Sequence, residues 1–226
     1  MSNSLIVWIA AAAGLTPATV VVLVSIFAGL GIATLLASYL AREAPDRGET
    51  ELEQRIRSWW VIVALVAGAL LLGRTMALIF FAGMSYLALK EYFSIVPTRQ
   101  SDRSVLLLIY LAVPLQFLLI AYELYGIFIV FVPVWMFMAL QAAMVMRGQT
   151  EGFLKAAGTL YWGLMATVYS LGHVAYLLVL PKEEEGIAEG AALVLALLIL
   201  TEFNDVAQYV AGKTLRTIID QGPLPT

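Results

Sequence analysis

The stretch LTEFNDVAQYVAGK, residues 200–213, closes the apolar run 191–200 and then carries two carboxylates, Glu202 and Asp205. If the chain stays helical from Thr201 onward, steps of three and four residues put Glu202, Asp205 and Tyr209 on one face. Asn204, Gln208 and Lys213 belong to the same stretch. A carboxylate at membrane depth is costly, so it has a partner or a task. Everything before this stretch reads as a scaffold that delivers it to one side of a bilayer.

Composition supports the membrane setting. Of the 226 residues, 62% are hydrophobic and only 13% charged, and the mean hydropathy is +0.90. That balance lies far outside a soluble domain and predicts an all-α, polytopic membrane protein. The net charge of -3 gives no global basic field, so nucleic acid is not an expected partner. The chain has no cysteine and one histidine, His173, which excludes disulfides, thiolate zinc sites and multi-histidine metal sites. No linker divides the chain, so residues 1–226 are expected to form a single membrane domain.

Seven spans are expected, at 17–40, 59–72, 75–89, 105–121, 125–146, within 153–180, and at 188–210. Pro17 suits the first helical turn, with Thr16 as its cap. Residues 4–13 form an interfacial or packed lead-in; a signal peptide is the alternative, against which no Lys or Arg precedes the apolar stretch. ETELEQRIRSWW, 49–60, reads as a short surface helix ending in the interfacial rings Trp59 and Trp60. Gly73 separates the second and third spans. Pro114 and Pro133 lie inside the fourth and fifth, Pro114 as an expected kink. Gly158, Gly163, Ala166 and Gly172 allow close helix contact in the sixth.

Charge sorting orients the seven spans. Arg42, Arg47, Arg55, Arg57, Lys90, Arg99, Arg103, Arg147, Lys155, Lys213 and Arg216 fall in one set of alternate loops, and only Arg74 and Lys182 in the other. The asymmetry places the first set in the cytoplasm, the N-terminus outside, and the 202–213 stretch at the cytoplasmic face.

At TEFNDVAQYVAGK the chain resembles the CdsA family, the phosphatidate cytidylyltransferases or CDP-diacylglycerol synthases. The likeness is to a D-x-x-A-Y-x-x-G-[KR] segment after a spanning helix. Asp205, Tyr209, Gly212 and Lys213 match it, and Gln208 stands where the usual pattern has Ala. RIRSWWVIV at 55–63, FFAGMSYLALKEY at 80–92 and YWGLMATVYSLGHVAYLLVLP at 161–181 are also similar to a bacterial branch. Residues 17–213 thus resemble the N-terminal two thirds of such an enzyme, while 214–226 form an atypical tail. The later Lys-Arg, Lys-Asp, His-Gly-Gly and Asp-Arg-x-Asp elements of the family are absent, which leads to the expectation of a truncated or frame-shifted product, inactive alone.

The resemblance implies CTP and phosphatidate as substrates, magnesium as cofactor, and a bacterial inner membrane location. It implies Asp205 as the catalytic, metal-binding carboxylate beside a cavity, with Glu202 as a second ligand. Asn204 and Gln208 would supply neutral oxygens, Tyr209 would join the nucleotide site, and Lys213, just beyond the helix end, would meet a phosphate. The plainer alternatives are an interface ion pair of Glu202 and Asp205 with Lys213 or Arg216, an aromatic-belt Tyr209, and an orienting Lys213. For His173 the plain reading, an interhelical hydrogen bond, is preferred to a lipid contact. Arg55 and Arg57 serve orientation or attract an anionic lipid headgroup. A non-enzymatic bundle, transporter-like or partner-binding, is the competing function, and the chain shows no internal repeat to favour a transporter. A homo-oligomer is left open.

Overall fold

The computed structural model describes residues 2–42, 51–98, 103–148, 151–180 and 190–220. Every element among them is helical, and the protein is an all-α polytopic membrane protein. We number the rods α1 (Ser2–Ala13), α2 (Pro17–Arg42), α3 (Glu51–Leu71), α4 (Arg74–Ile95), α5 (Arg103–Ala121), α6 (Tyr125–Val145), α7 (Phe153–Val179) and α8 (Gly190–Asp220). Among the described residues, α2, α3, α4, α6 and α7 are long and apolar enough to cross a membrane, and α5 contains a shorter apolar helix, Val105–Ala121. The expected count of seven spans is therefore not reached by length and composition alone.

Local chemistry accounts for most rod ends. The lead-in α1 packs on α2 and stops at Gly14, which takes φ +67. There Leu15 N–H returns to Ala10 O at 2.8 Å, as a glycine-ended helix does. Thr16 Oγ1 accepts from Thr19 N–H at 3.3 Å, and Pro17 opens α2 as expected. Gly73, at φ +94, makes the turn between α3 and α4.

One expectation is corrected here. The surface helix at 49–60 and the span after it form one rod from Glu51. No Gly or Pro lies between them, and propagating a helix is easier than restarting one. Within that rod the Trp60 indole N–H donates to Thr34 Oγ1 at 3.0 Å and its ring meets Phe27 at 5.9 Å, tying α3 to α2. Pro114 lies inside α5, which runs continuously through it.

The widening comes at Pro133, where residues Phe131–Met136 are π-helical. Proline has no N–H to give Ile129 O, four residues back. The Tyr169 hydroxyl donates to that oxygen at 3.3 Å. Tyr161 OH reaches Pro133 O at 3.4 Å, and buried Gln116 Nε2 reaches Phe128 O at 3.4 Å. Across from it, α7 has its own π-helical turn, Leu164–Tyr169, and Ser85 Oγ donates to Thr167 O at 3.2 Å. Tyr92 OH on α4 adds a bond to Thr159 O at 3.0 Å.

The main core joins α4 to α7, with Leu89, Ile109, Phe128, Leu140 and Leu164 fully buried. A smaller cluster joins Leu23, Val66, Leu70, Ala77 and Leu195 from α2, α3, α4 and α8. Of the small residues expected to permit close contact, Gly163 and Gly172 are buried and do so, while Gly158 and Ala166 are exposed. A Cβ on Gly163 would fall 2.7 Å from the Tyr92 ring. A Cβ on Gly190 would strike Leu177 O, so α8 starts pressed against the end of α7.

Gly163→Leu is expected to lower stability by about 1–3 kcal/mol through overpacking against Tyr92. Gly158→Ala, with nothing within 4 Å of its Cβ, is expected to change it by no more than about 0.5 kcal/mol. Thermal unfolding of both variants in detergent micelles checks this, and equal losses would contradict the close approach.

Candidate functional site

The 202–213 stretch lies in α8, and the rod divides into two parts. From Gly190 to Leu198 it packs on α7 and on the small cluster, with Ala191, Val194 and Leu195 buried. From Ile199 onward its described side chains are exposed apart from Glu202. Thr201 does not interrupt it, because Thr201 Oγ1 donates back to Leu197 O at 2.9 Å. The helix then continues to Asp220. Lys213 therefore sits within the helix and not beyond its end. The segment TLRTIID holds no Gly or Pro to stop it.

Glu202 is the half-buried member of the stretch. It closes a cavity of about 100 Å³ between α2, α3 and α8, walled by Leu23, Trp59, Val63, Val66 and Leu195. Apart from the carboxylate and the Trp59 indole the walls are apolar. Asp205, Asn204 and Gln208 are exposed. Asp205 lines none of the described cavities, so the hollow expected beside it adjoins Glu202 instead. The side chains of Tyr209 and Lys213 lie outside the described residues, although the backbone there is helical.

The two carboxylates thus share a helix face by spacing but differ in surroundings. A carboxylate facing apolar walls loses hydration and needs compensation, whereas one in water does not. Among the described residues no group of three or more His, Asp or Glu side chains converges as a metal cage. The oxygens of Glu202, Asn204, Asp205 and Gln208 suit a hard cation that keeps waters and takes one or two carboxylates. They do not suit one held by protein alone.

Other residues singled out from the sequence fall elsewhere. His173 Nδ1 bonds Tyr169 O of its own helix at 2.8 Å, which corrects the expected interhelical hydrogen bond. What it gives the neighbouring rod is a ring contact on Phe128 at 4.8 Å. Arg55 and Arg57 are exposed and have partners. The acidic loop Glu183–Glu185 lies outside the described residues.

Sequence reasoning counted Lys155 only as an orienting charge. It lines a cavity of about 290 Å³ with Pro97, Thr98 and Thr159, where the end of α4 meets the start of α7. Because α3 and α4 form an antiparallel hairpin, this is the end of the bundle that also carries Trp59 and Glu202. No spacing rule in the sequence joins residues 98 and 155.

Comparison with known proteins follows the same division of the chain. The model of the cytidylyltransferase family matches residues 53–218, from the first turn of α3 into the last of α8. The uncharacterized protein YnbB of Escherichia coli (strain K12) is 40% identical over 192 residues, covering 85% of this chain and 62% of that protein. The chain therefore spans less than two thirds of the length of the curated relative it matches. No solved structure matches. With the match running through the whole 202–213 stretch, the chain belongs to the cytidylyltransferase family.

Proposed function

We propose that this chain carries the nucleotide-facing membrane portion of an enzyme that joins CTP and phosphatidate, giving CDP-diacylglycerol and diphosphate. The observation that carries the reading is the family match across Glu202–Lys213. In this reading a phosphate oxygen of phosphatidate attacks the α-phosphorus of CTP. The bond from that phosphorus to the bridging oxygen breaks, and diphosphate leaves with the electron pair. An ionised phosphate needs no general base.

Both reactants are anions, and a bound magnesium ion would neutralise charge on the phosphates and on the leaving diphosphate. Asp205, exposed at the end of the packed bundle, would hold that ion within reach of a water-borne nucleotide. Glu202, one turn back at an apolar cavity, is its second carboxylate. Asn204 and Gln208 would add neutral oxygens, Tyr209 would contribute to the nucleotide site, and Lys213 would pair with a phosphate. The Lys and Arg asymmetry between alternate loops supports placing this end in the cytoplasm of a bacterium, with the protein in its inner membrane.

In membranes carrying a full-length family member, Asp205→Asn is expected to reduce CTP- and magnesium-dependent CDP-diacylglycerol formation by about 100-fold or more. Glu202→Gln is expected to cost less than about tenfold, since its carboxylate sits back from water. Undiminished product from Asp205→Asn would remove the assignment. The 226-residue chain assayed alone is expected to form no CDP-diacylglycerol, and turnover by the purified chain would refute that.

A further inference from the structure

The largest described hollow lies away from the 202–213 stretch. It is a groove of about 590 Å³ between α4 and α5. Leu78, Ile79 and Ala82 form one wall; Pro114, Phe117 and Leu118 form the other. At one end it meets Arg74 and Thr75. The groove follows about two helical turns, roughly 10 Å, on each rod. In a bilayer its apolar walls face acyl chains.

The polar end is built from an ion pair. Arg74 Nη2 lies 2.5 Å from Glu123 Oε1, with the two side chains 46% and 52% exposed. A guanidinium has five N–H donors and a carboxylate about four acceptor positions. This pair uses one of each, leaving a cationic and an anionic surface side by side.

Glu123 occupies a position that favours glycine. It has φ +59 in the turn after α5, where Leu124 N–H bonds Leu119 O at 3.0 Å and Glu123 N–H bonds Ile120 O at 2.9 Å. That pattern is a helix end whose left-handed residue is usually glycine. The turns after α1 and α6 have Gly14 and Gly148 in left-handed conformation. A side chain kept in left-handed backbone points to a use for that side chain.

We propose that the α4–α5 groove binds one zwitterionic phospholipid of the bilayer, its tail against Leu78 and Phe117, its phosphate on Arg74 and its ammonium on Glu123. A net-neutral pair gives no overall preference to an anion. It matches a headgroup with both charges. The site is separate from the cytidylyl-transfer reading and stands without it.

The test uses the full 226-residue chain in detergent, stripped of lipid, with thermal unfolding followed by tryptophan fluorescence. The probes are dioleoyl-phosphatidylethanolamine, dioleoyl-phosphatidylglycerol and dioleoylglycerol. The first is expected to raise the melting temperature more than the other two. Glu123→Gly, which suits the turn, and Arg74→Gln are each expected to bring its effect down to that of dioleoylglycerol. Ala82→Trp, which fills the groove, is expected to remove the response to all three. Equal shifts from the three lipids on the unmodified chain would overturn the proposal. So would a Glu123→Gly protein that keeps its preference for the ethanolamine lipid, since the pair would then only lock the turn.

Discussion

Backbone polar groups inside a bilayer must find partners within the protein, because no water competes for them. Pro133 interrupts that pattern in the middle of α6, because it lacks the N–H that Ile129 O would receive. The Tyr169 hydroxyl goes to that carbonyl, and Tyr161 OH and Gln116 Nε2 reach Pro133 O and Phe128 O on the same rod. This fixes α7 on α6, with the two π-helical turns facing each other. Individually such bonds contribute about 0.6 kcal/mol in a membrane. Their effect is on register: a shift of either rod by one residue would separate hydroxyl from carbonyl. Gln116 Oε1 is buried and has no hydrogen-bond partner among the described residues.

From that register the position of α8 follows. Tyr92 and Ser85 attach α4 to the same face of α7, and Gly163 lets the Tyr92 ring approach the α7 backbone. The far end of α7 then meets Gly190, where no side chain could fit. α8 is thus aimed along the groove between α2 and α3, and Leu195 and Leu198 enter it. The carboxylates of the 202–213 stretch are carried outward by a rod whose direction is set some 30 residues earlier in the chain.

Features decided by neighbours in sequence were legible in advance. The Thr16–Pro17 start and the turn at Gly73 each depend on one or two residues and were readable from them. Features decided by a partner rod were not. Pro114 and Pro133 look alike as letters, yet Pro114 lies in an uninterrupted α-helix while Pro133 lies in a π-helical turn where Ile129 O receives the Tyr169 hydroxyl. The tie from Trp60 to Thr34 and Phe27 likewise depends on a partner rod. The family itself was legible, because Asp205, Gly212 and the residues between them form a contiguous pattern.

The same distinction separates Glu202 from Asp205. Helical spacing puts them on one face, but spacing says nothing about which of them adjoins a cavity. α3 begins its apolar part at Trp59, and the cavity at that level takes Glu202. One turn further, about 5 Å along the axis, Asp205 is exposed. Ordered this way, one carboxylate faces an apolar cavity and the other lies open on the helix surface. A cation arriving with a hydrated nucleotide would meet the exposed carboxylate first, and an acyl chain beside the bundle would meet the apolar walls below Glu202. In the proposed reaction a soluble nucleotide meets a membrane lipid, and the two surroundings it needs would lie one helical turn apart, at residues 205 and 202.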